Sequence, residues 1–185
     1  MKKLLVAAAL LSVAFSSNAQ TYLTRSAQVT FFSTTSAEDI KATNNEVVSV
    51  IDGKSGAYNF TVLIKSFIFP KAAMQQHFNG EGYMNSDKFP KAEFKGSIDD
   101  IKKSKNLKKD GTYKVMVSGD LTMHGITKKV TAPGTITITG GKVTATSVFK
   151  INRKDYGVEI PDMAKGKIAE DLEITINAAY DEAGK

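Results

Sequence analysis

Catalysis needs a nucleophile, an acid–base group or a metal site, and this chain offers few of them. It has two histidines, His77 and His124, and no cysteine. That inventory almost excludes the usual metal clusters of cysteine and histidine. No HExxH, GxSxG or phosphate-loop pattern occurs. Paired acids do occur, at Asp99-Asp100 and Glu170-Asp171, but beside turns or strand ends where solvated carboxylates are ordinary. His124 stands in GDLTMHGITKKV, followed at once by Gly125. Glycine tolerates unusual backbone angles, so His124 is expected to hold a turn by hydrogen bonding, with contact to a ligand head group as the alternative. A hydrolase with a site assembled from distant strands ranks last among the functional readings, and the chain is read as a non-enzyme with no cofactor and no metal site.

The elements that would position such residues are mostly strands. SGAYNFTVLIKSF places Tyr58, Phe60, Val62 and Ile64 on one face. TYKVMVSG does the same for Tyr113, Val115 and Val117, and GTITIT for Ile136 and Ile138. VTATSVFKIN aligns Phe149 with Ile151, and DLEITINAAY aligns Ile174 with Ile176. One apolar and one polar face per run marks half-buried antiparallel strands. Asp52-Gly53, Asp110-Gly111 and Gly140-Gly141 separate the runs as hairpin turns. Eight strands are expected, over 21–33, 45–52, 56–67, 91–99, 112–122, 127–139, 142–152 and 168–180. Long sequential strands with one wet face suggest a sheet closed on itself, which removes exposed edges. PKAAMQQHFNG breaks the alternation: Pro70 suits a helix start and Gly80 a helix end. Met74 and Phe78 share one face of this short helix.

Residues 1–19, MKKLLVAAALLSVAFSSNA, read as a secretory signal peptide. Two lysines precede a 12-residue apolar run, Leu4 to Phe15, too short to span a bilayer. Ser17 and Ala19 then suit cleavage before Gln20. The expected domain is 20–185, soluble and periplasmic or secreted. The full chain carries a formal charge of +6. Much of the excess lies in IKKSKNLKKDGTYK, a solvated loop by the plain reading and an anionic-membrane or phosphate contact by the sharper one. Nucleic acid is not an expected partner, since no basic-aromatic pattern is present.

Three stretches resemble the YceI-like family of exported lipocalin-like barrels associated with polyisoprenoid lipids. They are MQQHFNGEGYMNSDKFPKAEFKG, GDLTMHGITKKV and FKINRKDYGVEI. Where the family usually has a histidine-serine pair near the first strand, this chain has Arg25-Ser26. The resemblance implies an all-β fold, an elongated eight-stranded antiparallel lipocalin-like barrel with one short helix. It further implies a long apolar cavity for an isoprenoid, isoprenoid quinone or other lipid chain, carried or sequestered outside the cytoplasm, with transient membrane contact.

Alternation supplies the expected inward faces: Phe60, Val62 and Ile64; Val115 and Val117; Phe149 and Ile151; Ile174 and Ile176. Met74 and Phe78 would line or close one end. His77 and Arg153, at element ends within the family-like motifs, are the head-group candidates. The planar, permanently charged fork of Arg153 suits phosphate, with pairing to Asp155 or another acid as the alternative. A barrel of eight strands can instead be filled by its own side chains. The competing function is then a stress-related interaction protein without ligand.

Overall fold

A computed structural model describes residues 20–105 and 107–183. The expected signal peptide, 1–19, lies outside the described residues. The strands are β1 (Thr21–Thr34), β2 (Asp39–Asp52), β3 (Ala57–Leu63), β4 (Lys91–Ile98), β5 (Gly111–Met123), β6 (Ile126–Thr139), β7 (Lys142–Asn152) and β8 (Asp171–Glu182). Each pairs antiparallel with its neighbour in sequence, and β1 pairs with β8, so the sheet closes into a barrel. The one α-helix among the described residues, α1 (Ala72–Asn79), lies in the β3–β4 connection.

Three boundaries differ from the sequence expectation. β2 begins at Asp39 rather than at 45: Ala42 and Asn44 face inward, but out of phase with Val47, Ser49 and Ile51, because the β1–β2 register shifts between them. Asn44 is wholly buried, yet both ends of its amide are partnered, by the Leu63 carbonyl at 2.7 Å and the Glu46 N–H at 2.8 Å. Satisfied in this way, a polar residue costs little inside a strand. β3 stops at Leu63 rather than at 67. The chain turns through a short 3₁₀ segment, Ile64–Ser66, and then runs beside β2, where Thr43 and Ile68 exchange backbone bonds of 3.1 and 2.8 Å. β8 starts at Asp171 rather than at 168.

The two ends of the barrel differ. At one, residues 99–105 and 107–110 fold under the strands. Tyr22 donates to the Leu107 carbonyl at 3.1 Å, and the Ser104 hydroxyl receives the Leu107 N–H at 3.0 Å. Leu107 and Ile101 thereby join Ile51, Ile138 and Val143 in a fully desolvated plug. The lysine run 102–114 sits at this closed end. At the other end lie α1, the turn 124–125 and the connection 153–170. No residue of α1 is fully buried. The helix is anchored by Phe78, whose ring lies 5.5 Å from Phe31, 5.5 Å from Phe67 and 5.0 Å from Phe69.

Candidate functional site

Between plug and helix the barrel encloses a cavity of about 470 Å³ with an almost wholly apolar wall. Close-packed interiors leave few voids larger than a water molecule. Every site residue expected from the sequence borders this space: Phe60, Val62, Val115, Val117, Phe149, Ile151, Ile174 and Ile176 from the strands, Met74 and Phe78 from α1, and His77 and Arg153 at the α1 end. Ile64 borders it too, though from the 3₁₀ turn rather than from β3. Strand alternation is the reason: successive side chains point to opposite faces, so one face per strand must line the interior. The inward residues Val115, Val117, Phe149 and Ile151 are only half-buried, because the surface they expose faces the cavity.

Other lining residues carry polar atoms. At the closed end the Tyr180 hydroxyl meets the Ser49 hydroxyl at 2.8 Å, and Ser49 donates to the Asn59 carbonyl at 3.1 Å. The Tyr58 hydroxyl joins this network. Burial, and then the adjacent Tyr180, push the Tyr58 phenol well above its ordinary pKa. Burial raises Tyr180 as well. The floor is therefore neutral and its hydroxyls are mutually occupied. Tyr58 and Tyr180 were recognisable as inward-facing from alternation, but their pairing with Ser49 joins residues far apart in sequence.

Arg153 differs in kind. It is 6% exposed and borders the cavity just beyond the end of β7. One terminal nitrogen donates to the Val158 carbonyl at 2.7 Å, while its Nε has no partner. Among the described residues Arg153 makes no ion pair, with Asp155 or with any other acid. A buried guanidinium with a free donor is costly unless an acceptor reaches it. His77 is exposed at the rim and stacks on Tyr83, with ring centroids 6.2 Å apart.

His124 is a turn residue. With Gly125 it forms the two-residue β5–β6 connection, and both have positive φ, 51° and 78°. That is the twist a tight hairpin requires. Its Nδ1 lies 3.1 Å from the Tyr156 carbonyl, an acceptor, so the proton sits on Nδ1. Its ring packs on Phe89 at 4.3 Å. A side chain at Gly125 would meet the same Phe89 ring at 2.8 Å, so glycine is needed there for space as well as for φ. The lysines of the run 102–114 lie at the plugged end of the barrel, the opposite end from Arg153.

The model of the YceI-like domain matches residues 12–180. The chain belongs to the YceI-like family. UPF0312 protein plu2095 of Photorhabdus laumondii is 36% identical to it over 72 residues, which is 39% of this chain and 33% of that relative. The match thus spans about a third of the relative's length. Solved structures share the YceI-like fold at low identity. A polyisoprenoid binding domain from Saccharophagus degradans superimposes with a TM-score of 0.76 at 12% identity, covering 88% of this chain and 98% of that one. BcnA of Burkholderia cenocepacia gives 0.70 at 19% identity, over 84% and 96%. The YCEI protein of Campylobacter jejuni gives 0.52 at 15%, over 98% and 99%. Among the described residues no group of three or more His, Asp or Glu is placed to hold a metal ion. What this YceI-like cavity can do chemically is exclude water from an apolar chain.

Proposed function

We propose that the protein binds one long apolar lipid, an isoprenoid or isoprenoid quinone, in the barrel interior and carries or sequesters it outside the cytoplasm. The observation that carries this reading is the cavity: about 470 Å³, continuous, and walled by aliphatic and aromatic side chains. At about 30 Å³ per water-sized group, it accommodates about sixteen such groups. Burying that many methylenes yields roughly 13 kcal/mol gross at ~0.8 kcal/mol each. Association and ordering costs of ~4–15 kcal/mol reduce this, leaving affinity set by chain length and preorganisation. A cavity of this size disfavours the competing idea of a barrel filled by its own side chains. The polyisoprenoid binding domain from Saccharophagus degradans with the same fold supports an isoprenoid as the chain. The signal-peptide pattern of residues 1–19 supports export, and transfer to or from a bilayer entails transient membrane contact.

Arg153 is the group that orients the polar end. Its free Nε suits a phosphate or a carbonyl oxygen placed at the α1 end of the cavity. Arg153→Ala tests the role. A hydrogen bond to a charged group contributes ~1.5–3 kcal/mol, so binding of a phosphorylated isoprenoid should weaken by about ten- to a hundredfold. A neutral isoprenoid of equal length should bind as before. Equal weakening of both ligands, or a lower melting temperature alone, would make Arg153 a structural residue.

A further inference from the structure

β6 and β7 are joined by the tight Gly140-Gly141 turn, yet the hairpin is zipped for only part of its length. β6 spans Ile126–Thr139 and β7 spans Lys142–Asn152, but their pairing runs only from Thr139↔Lys142 to Gly134↔Ser147. Beyond that point each strand keeps its other neighbour. β6 stays paired with β5 as far as Met123↔Ile126, and β7 with β8 as far as Asn152↔Asp171. The wall therefore splits lengthwise between residues 126–133 and residues 148–152. Pro133 stands at the point of splitting. It has no N–H to extend a ladder, and its carbonyl receives the Ser147 hydroxyl at 2.7 Å. The short β2–β3 ladder leaves a comparable gap, but the Thr43–Ile68 bonds cover it. Among the described residues no backbone hydrogen bond crosses the β6–β7 gap.

The cavity reaches this slit. Val130 and Ala132 on one bank and Phe149 and Ile151 on the other line it from inside. Thr135 and Thr146, which alternate outward from Ile136 and Ala145, also border the cavity, which puts an opening beside the last pair. Each bank carries one exposed apolar side chain, Ile126 at 38% and Val148 at 51%, among exposed polar ones, Lys128, Lys129 and Thr131 on one side and Lys150 on the other. The upper end is closed where His124 meets the Tyr156 carbonyl, and Arg153 lies there, at the end of β7. Exit along the barrel axis would instead disturb α1, whose Phe78 is held by three other phenylalanines.

We propose that this slit is the portal through which an apolar chain enters and leaves, sideways through the wall, with the polar end held near Arg153. The proposal rests on the lipid-binding reading above. The chain has no cysteine, so a Thr131→Cys/Lys150→Cys pair places one reactive thiol on each exposed bank. A short bis-methanethiosulfonate linker would bridge the slit and reductant would release it. Retinol, a fluorescent isoprenoid alcohol, reports uptake, and phosphatidylcholine vesicles report release. Bridging is expected to slow both rates by at least about tenfold, with full recovery on reduction, as when access rather than contact is limiting. Rates unchanged by the bridge overturn the portal while leaving lipid binding intact. No retinol uptake before bridging overturns the binding reading, and the portal with it. Thr131→Cys/Val148→Cys, closer to the last pair, repeats the measurement should the first variant not fold.

Discussion

Ala145 offers the sharpest perturbation of the cavity. It faces inward on β7 opposite Ile136 of β6 and Ala178 of β8, so two neighbouring strands present alanine where larger side chains would fill space. Ala145→Phe adds six heavy atoms to this wall. The cavity accommodates about sixteen water-sized groups, so the ring displaces over a third of them. At ~0.8 kcal/mol per methylene the ligand loses about 5 kcal/mol of gross burial, an upper bound because the chain can shift outward. A loss of that order weakens binding by about three orders of magnitude at ~1.4 kcal/mol per decade. Stability should move the other way. Overpacking a filled core costs ~1–3 kcal/mol, but a ring entering open apolar space avoids that cost. The assay is retinol titration beside thermal melting of the same protein. A folded Ala145→Phe variant with unchanged affinity would refute the location of the chain. A variant that fails to fold would mean that the space at Ala145 is already taken.

His124→Ala should lose the bond to the Tyr156 carbonyl and the Phe89 contact, lowering stability by about 1 kcal/mol in urea unfolding. Its retinol affinity should be unchanged, and a tenfold loss would make His124 a ligand contact instead. Alkaline pH should destabilise the fold. Burial, and then Asp155, push the Tyr156 phenol from 10.0 to about 12, and burial raises Tyr22, Tyr58 and Tyr180 as well. Unfolded phenols ionise near pH ~10, so above that the unfolded chain holds fewer protons and stability falls as pH rises through ~12. Urea midpoints constant across that window would contradict the burial of these hydroxyls. Intact mass of the exported protein should show a chain beginning at Gln20, and retention of Met1 would refute the leader.

Much of the barrel was legible because alternation is a local signal. Much of β6, β7 and β8 carries it, and Val130, Ile136, Phe149, Ile151, Ile174 and Ile176 border the cavity as the pattern requires. β2 was only half legible: its inward positions change parity between Asn44 and Val47, where the β1–β2 register shifts, and only the tertiary partners of Asn44 make it a buried position. β3 failed in the opposite sense. Alternation runs on through Ile64, but the chain must leave β4 there to reach α1. Arg153 could be singled out by chemistry but not by burial, since charged residues are seldom buried without a partner. The β6–β7 slit had one trace in the sequence, Pro133. A proline shows that a ladder bond is missing but not that two strands part.

The barrel interior is expected to hold one lipid chain. Native mass spectrometry of the protein purified from its own host tests it most directly. The expected result is a reproducible mass excess from one long-chain lipid, released by organic extraction and regained on incubation with a long-chain isoprenoid. A mature mass with no adduct, together with no uptake of any long-chain isoprenoid, would contradict it.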